Sequence, residues 1–137
     1  QALLSNLDFA PTFLDYANAP IPEDMQGVSL RPIFAGEEPE TWRDSVYYRY
    51  WMHLGEHYVA AHYGVRTERY KLIYYLGDGL GYPGTTDEKK TPEWELFDLK
   101  TDPLEMNNVF HDPAYADVVQ ELQAELKKVK EEALDFE

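Results

Sequence analysis

The residues best suited to bind a ligand lie on one predicted strand, His62-Tyr63-Gly64-Val65-Arg66. Because side chains alternate along a strand, His62, Gly64 and Arg66 share one face. Arg66 offers a planar fork of N–H donors that fits an anion, and His62 adds a second polar group. A glycine between the two predicts close approach of a ligand to the backbone. This pattern predicts a site for an anion or for sugar hydroxyls, contacted by His62 and Arg66.

A plainer interpretation of the same strand stays open. The chain carries 26 acidic residues, so Arg66 can pair with one of them while His62 is simply half-buried. Arg69 and Lys71 lie two positions apart on the next strand, and we predict that they are exposed charges that protect an edge or maintain solubility.

Four carboxylates near the last predicted strand form a second candidate site. Paired carboxylates can perform acid–base chemistry, as in glycosidases. Their setting in a strand end and a turn instead favours structural hydrogen bonds. They are Glu95, Asp98, Asp102 and Glu105.

Composition excludes several classes of chemistry. The chain has no cysteine, so it contains no disulfide, zinc–cysteine site or cysteine nucleophile. A net charge of −14 disfavours nucleic acid and anionic membrane surfaces, and no apolar run is long enough for membrane insertion. The histidines are not at metal-ligand spacing, so we predict no metal site. They are His53, His57, His62 and His111.

The elements that would position these residues predict an α+β fold. We expect a short N-terminal helix over residues 5–17, strands over 45–51, 59–67, 69–75 and 94–99, and a functional or mobile loop over 76–93. Asp112 and Pro113 are suited to begin the last helix. Its apolar stripe predicts an antiparallel sheet of about four strands packed against this long C-terminal helix. The stripe comprises Tyr115, Val118, Val119, Leu122, Leu126 and Val129.

Aromatic residues around the first two strands allow two interpretations. They could form a platform on which sugars stack, or they could lie in the core of the sheet and at an interface with another domain. We favour the interface. The residues are Tyr47, Tyr48, Tyr50, Trp51, Tyr58 and Tyr63.

Two sequence runs resemble a known family. The runs are Arg66-Thr67-Glu68-Arg69-Tyr70-Lys71-Leu72-Ile73 and, after a loop, Trp94-Glu95-Leu96-Phe97-Asp98-Leu99-Lys100-Thr101-Asp102-Pro103-Leu104-Glu105-Met106-Asn107-Asn108. They resemble the C-terminal subdomain of the sulfatases, arylsulfatase-like members of the alkaline phosphatase superfamily. Residues 8–15 and 27–36 resemble two elements that precede this subdomain. The resemblance implies a helical connector from the catalytic domain over residues 1–36 and the α+β subdomain over 37–137.

The resemblance also implies which parts of the chemistry this chain lacks. The sulfatase nucleophile is a formylglycine made from Cys or Ser in a C/S-x-P-x-R motif, and Ser29-Leu30-Arg31-Pro32 has the wrong order. The catalytic residue and the calcium ligands are therefore expected in an N-terminal catalytic domain of the same polypeptide. We assign no catalytic residue here, and we expect the isolated chain to be inactive. Because the strand with His62 and Arg66 approaches the cleft in such sulfatases, the resemblance implies that both contact substrate.

We therefore expect the chain to be the C-terminal portion of an enzyme that hydrolyses sulfate esters, with a sulfated carbohydrate as substrate. In bacteria the resemblance implies a periplasmic or secreted protein. Two alternatives stay open: the tail of a phosphonate monoester hydrolase or phosphodiesterase of the same superfamily, and a non-catalytic module that binds a glycan or a protein.

Overall fold

The computed structural model describes residues 2–37 and 39–136. The chain forms two compact units, Gln1–Val46 and Tyr47–Glu137. In chain order the elements are α1 (Phe9–Tyr16), α2 (Arg31–Phe34), β1 (Ser45–Tyr50), β2 (His62–Thr67), β3 (Tyr70–Tyr75), β4 (Glu93–Asp98) and α3 (Ala116–Glu132), with 3₁₀ turns at Asn6–Asp8 and Pro113–Tyr115.

The first unit is organised by a buried carboxylate. Asp8 is fully buried and accepts hydrogen bonds from both terminal nitrogens of Arg43, at 2.9 and 2.7 Å. It also accepts from the backbone N–H groups of Ser5 and Val28. Ser5 caps the first turn, in a capping box shared with Asp8.

The second unit contains the predicted α+β architecture. The sheet is antiparallel with strand order β1-β2-β3-β4, and β2 pairs with β3 from His62 opposite Tyr75 to Arg66 opposite Lys71. Glu68 and Arg69 form the short turn between them, close to the predicted position. Both β2 and β3 are inner strands, so the candidate site lies in the middle of the sheet.

One face of the sheet is covered by α3. The core joins Val65, Leu72 and Leu96 of the sheet to three helix residues. Asp112 caps a 3₁₀ turn over Pro113–Tyr115, where its side chain accepts a hydrogen bond from Ala114 N–H. The helix α3 follows this turn and begins at Ala116, three residues later than predicted. The predicted apolar stripe is confirmed in full: its members are either in this core or packed against it, namely Tyr115, Val118, Val119, Leu122, Leu126 and Val129.

The second strand is shorter than predicted, and its start has a physical reason. The Ala61 N–H donates to the ring of His53 instead of joining the sheet, and Tyr58 has a positive φ of 53°. The chain therefore enters the sheet at His62 instead of at residue 59. Within the part of the chain that is described, no helix has the length and apolarity that a membrane span requires.

Candidate functional site

The candidate site is the sheet face that points away from α3, where β2 presents His62, Gly64 and Arg66. Strand alternation places these side chains opposite Val65, which lies in the core against the helix. We call this surface the His62 face; it also includes Tyr48 and Tyr50 of β1 and Tyr75 of β3, whose rings lie within 5.0–6.0 Å of the His62 ring.

His62 is held in one orientation. Its Nδ1 atom lies 2.8 Å from the carbonyl oxygen of Ala60. Tyr50 stacks on the ring at 25° with centroids 5.5 Å apart, and Tyr48 presents its edge. The predicted half-burial of His62 is observed, together with a polar ring atom, Nε2, that makes no hydrogen bond to residues 2–37 and 39–136.

Arg66 lies at the other end of the strand and is exposed. It forms no ion pair within the described ranges, and its positive charge is close enough to the Tyr48 hydroxyl to oppose the rise in the pKa of that group. Arg66 lies four positions after His62 along the strand, so their Cα atoms are about 13 Å apart. The two side chains share a face and lie near opposite ends of the strand.

Gly64 has a different role from the predicted one. A Cβ atom at this position would lie 2.5 Å from the carbonyl oxygen of Leu72 and 2.7 Å from the hydroxyl oxygen of Tyr48. The space left by the missing side chain is filled by Tyr48, and Gly64 is buried. The prediction that a ligand approaches the backbone here is wrong, because an aromatic side chain from β1 occupies that place.

Burial controls the ionisation of two tyrosines of the His62 face, Tyr48 and Tyr75. Burial is the main cause that raises the pKa of Tyr48 above its usual range. Burial, followed by the adjacent Glu95 carboxylate, raises the pKa of Tyr75 to about 12. Both hydroxyls therefore keep their protons at neutral pH. The hydroxyls of Tyr48 and Tyr50 are buried without a hydrogen-bond partner in the described part of the chain.

Two of the predicted interface aromatics belong to the core instead. Tyr47 and Tyr63 pack against the cluster formed with α3, because they point to the opposite face from Tyr48 and Tyr50. The core position that was part of the same interpretation is confirmed for these two residues, and their interface with another domain stays a prediction. Trp51 and Tyr58 are exposed.

The carboxylates of the second candidate site are structural, as the favoured interpretation predicts. Asp98 binds Arg69 through two hydrogen bonds of 3.0 and 2.7 Å, and Glu105 binds Lys71 at 2.5 Å. The predicted exposure is confirmed for Arg69, while Lys71 is half-buried, and the predicted edge-protecting role is wrong for both. β3 is not an edge strand, and both cations hold turns against the sheet.

Sequence reasoning missed the role of His53. Its side chain is fully buried, its Nδ1 accepts a hydrogen bond from Ala61 N–H, and its Nε2 lies 2.9 Å from the Glu88 carbonyl oxygen. Its backbone carbonyl also accepts from Thr86 N–H. His53 thus joins the loop before β2 to the loop after β3. A histidine in a Gly-containing loop carries no sequence signal for this role.

The described residues do not fit the cofactors that the resemblance implies. No group of three or more His, Asp or Glu side chains in residues 2–37 and 39–136 could hold a metal ion. The full sequence contains no cysteine and no Ser-x-Pro-x-Arg run from which a formylglycine could form.

Comparison with known proteins identifies the family. A family model described as "N-sulphoglucosamine sulphohydrolase, C-terminal" matches residues 1–132. The chain belongs to this family. The predicted resemblance to the C-terminal part of sulfatases is confirmed.

Relatives in the sulphohydrolase family are similar along nearly the whole chain. An N-acetylglucosamine-6-O-sulfatase of Bacteroides thetaiotaomicron is 40% identical over 137 residues, covering 98% of this chain and 22% of the relative. A delta 4,5-hexuronate-2-O-sulfatase of the same organism is 32% identical over 118 residues, covering 86% of this chain and 22% of the relative. The chain thus spans about a fifth of the length of these relatives.

Solved structures show the same architecture. One, of a protein in complex with its substrate D-glucosamine-2-N,6-O-disulfate, has a TM-score of 0.82 at 39% identity and covers 95% of this chain and 24% of its own. The phosphonate monoester hydrolase of Agrobacterium radiobacter has a TM-score of 0.68 at 24% identity, covering 91% of this chain and 24% of its own. That second likeness shows a shared fold alone.

Proposed function

We propose that this chain is the C-terminal portion of a sulfatase that hydrolyses sulfate esters of carbohydrates. The observation that carries this proposal is the 40% identity, over 98% of the chain, to an N-acetylglucosamine-6-O-sulfatase. The structure bound to a sulfated glucosamine, at 39% identity, supports the same substrate class. A sulfated amino sugar is therefore the first substrate to test.

In this proposal the chain shapes the substrate pocket and contributes no catalytic residue. Residues 1–36 form the connector from the catalytic domain, and 37–137 form the subdomain that carries His62 and Arg66. Formylglycine and calcium belong to the catalytic domain, in the part of the polypeptide that this chain does not include. The chain has a net charge of −14, which repels an anionic sugar at long range. To attract such a sugar, the local positive charge of the exposed Arg66 must outweigh this repulsion.

The contacts of His62 and Arg66 with substrate are tested in the full-length enzyme. We expect His62→Ala and Arg66→Ala to lower kcat/KM for N-acetylglucosamine 6-O-sulfate by the equivalent of about 1–3 kcal/mol each, the cost of a lost polar contact. His57→Ala and Lys127→Ala are matched controls, because both side chains are exposed on other surfaces. Wild-type kinetics in both test variants would return these residues to a structural role.

A phosphonate monoester hydrolase or phosphodiesterase is the alternative within the superfamily. The solved phosphonate hydrolases share the fold at 23–24% identity, well below the identity to the sulfatases. Turnover of a phosphonate monoester in preference to the sulfated sugar by the full-length enzyme would favour this alternative.

A non-catalytic binding module is the alternative of another class. It is supported only by exposed aromatic residues such as Trp51 and Tyr58, which are suited to stacking on sugars. Glycan-array binding by this chain alone, without a catalytic domain in the same polypeptide, would favour it.

A further inference from the structure

The position of one proton on His62 limits what this residue can recognise. A carbonyl oxygen only accepts hydrogen bonds, so the 2.8 Å contact with Ala60 requires the proton on Nδ1. In the neutral ring the other nitrogen, Nε2, then carries a lone pair and is an acceptor. Nε2 can therefore accept a hydrogen bond from a donor outside the described residues.

The surroundings of the ring keep this arrangement. A 180° turn of the ring would put a carbon in the place of Nδ1 and break the bond to Ala60, while the stacking on Tyr50 fixes the plane of the ring. No carboxylate of residues 2–37 and 39–136 lies within ion-pair distance of His62.

Arg66 has the opposite chemistry. Its guanidinium is always charged and has only donors, so it suits the oxygens of a sulfate or a carboxylate. Because the two residues are about 13 Å apart along the strand, they contact different parts of a ligand. The face therefore presents one acceptor and one cationic donor to separate groups.

We infer that His62 Nε2 accepts a hydrogen bond from an uncharged donor of the substrate, a sugar hydroxyl or N–H, and that Arg66 takes an anionic group. This inference rests on the proposed function, which puts both residues at the substrate. It assigns His62 to recognition of the sugar and not of the sulfate.

The experiment uses the full-length enzyme and three substitutions, two at His62 and Arg66→Ala. His62→Phe keeps an aromatic ring among the three tyrosines and removes the Nε2 acceptor, while His62→Gln restores an acceptor oxygen. Substrates are N-acetylglucosamine 6-O-sulfate and analogues in which each hydroxyl or the N–H is replaced in turn. Inorganic sulfate serves as a competitive inhibitor that reports on the anion site alone.

We expect His62→Phe to lower kcat/KM for the complete sugar roughly tenfold to a hundredfold, with partial recovery in His62→Gln. The analogue that lacks the donor paired with His62 should already have a low kcat/KM with the wild-type enzyme. His62→Phe should not lower the kcat/KM for that analogue any further. Inhibition by inorganic sulfate should change less than about twofold in His62→Phe. Arg66→Ala should raise the KM for D-glucosamine-2-N,6-O-disulfate, which carries a second anionic group, more than the KM for N-acetylglucosamine 6-O-sulfate.

Three outcomes would be informative in the other direction. Equal loss of sulfate inhibition and of sugar turnover in His62→Phe would overturn the inference while keeping the proposed site. Equal loss with every analogue would also overturn it, because no single donor would then pair with His62. Wild-type kinetics in both His62→Phe and Arg66→Ala would instead reject the placement of the substrate on this face.

Discussion

At the scale of single residues, Asp98 shows how one carboxylate connects three segments. It is 2% exposed and accepts hydrogen bonds from Arg69, from the Lys100 N–H and from the Tyr115 hydroxyl. The hydrogen bonds from Arg69 are the largest cause that lowers the pKa of Asp98 below its ordinary value of 3.8. The ionised form is therefore part of the folded structure.

This shift predicts the pH dependence of stability. A carboxylate with a lowered folded-state pKa stabilises the fold above about pH 3.8, and that stabilisation is lost as the pH falls through the lowered pKa. We expect Asp98→Asn to lower the free energy of unfolding at pH 7, with a difference from wild type that narrows below pH 4. Urea unfolding from pH 7 to pH 2.5 measures it.

Asp87→Asn is the control for this series, since Asp87 lies exposed in the loop after β3. It should follow the wild-type curve. A loss of stability in Asp98→Asn that is the same at every pH would contradict the role given to its ionised form.

At the scale of elements, the loops at the start of β2 and after β3 behave as one structure. Besides the His53 bonds, a Cβ at Gly55 would lie 2.4 Å from the Gly84 carbonyl oxygen, and Trp51 meets Tyr82 edge-on at 4.8 Å. The loop over residues 76–92 is therefore attached to the loop before β2. The sequence predicted a functional or mobile loop here, and the structure gives this loop defined contacts.

His53→Ala tests this attachment. The substitution leaves the Ala61 N–H and the Glu88 carbonyl without their partner, at a cost of about 1–3 kcal/mol for each buried group left unpaired. We expect faster hydrogen exchange at Ala61 and Thr86 and faster proteolysis within residues 76–92. His57→Ala, in the same loop but exposed, should leave both rates unchanged. Protection retained in His53→Ala would show that the aromatic contacts alone hold the loop.

At the scale of the whole second unit, a buried ion pair links the first strand of the sheet to the segment after α3. Arg49 of β1 binds Asp135, beyond the end of α3, at 2.5 Å, with side chains only 5% and 10% exposed. The Tyr47 hydroxyl donates to the same carboxylate, and the Arg49 guanidinium lies 3.3 Å from the centroid of the Trp51 ring. This cluster ties the first strand to the end of the chain.

We expect Asp135→Ala to destabilise the protein by about 3–5 kcal/mol, because it removes the carboxylate that the buried Arg49 guanidinium binds. Glu131→Ala is the matched control. Its ion pair with Lys127 spans 4.0 Å between side chains 61% and 80% exposed, and such pairs contribute less than about 1 kcal/mol. Thermal and urea unfolding compare the two, and equal effects would remove the linking role of Asp135.

Much of this architecture was predictable because it depends on local pattern. Side-chain alternation in the strands, the 3.6-residue stripe from Tyr115 to Val129 and the capping residues Ser5 and Asp112 all act over a few neighbouring positions. The family resemblance was also readable from the sequence, because its motifs are short runs of residues. The absence of cysteine follows directly from the composition.

The candidate site was predictable only in part. Its strand and the shared face of His62 and Arg66 follow from alternation. The position of the Tyr48 side chain in the space beside Gly64 does not follow from alternation. It depends on a contact between two strands, made by residues that lie 16 positions apart in the sequence.

The sequence alone thus determined which elements form, in what order, and which family they belong to, because each of these depends on residue types at short spacing. Only the tertiary structure decided which polar groups meet: Arg69 with Asp98, Lys71 with Glu105, His53 with two loops, and Ala60 with one nitrogen of His62. Most of these partners are many residues apart along the chain, and hydrogen bonding depends on distances and directions that no periodicity encodes.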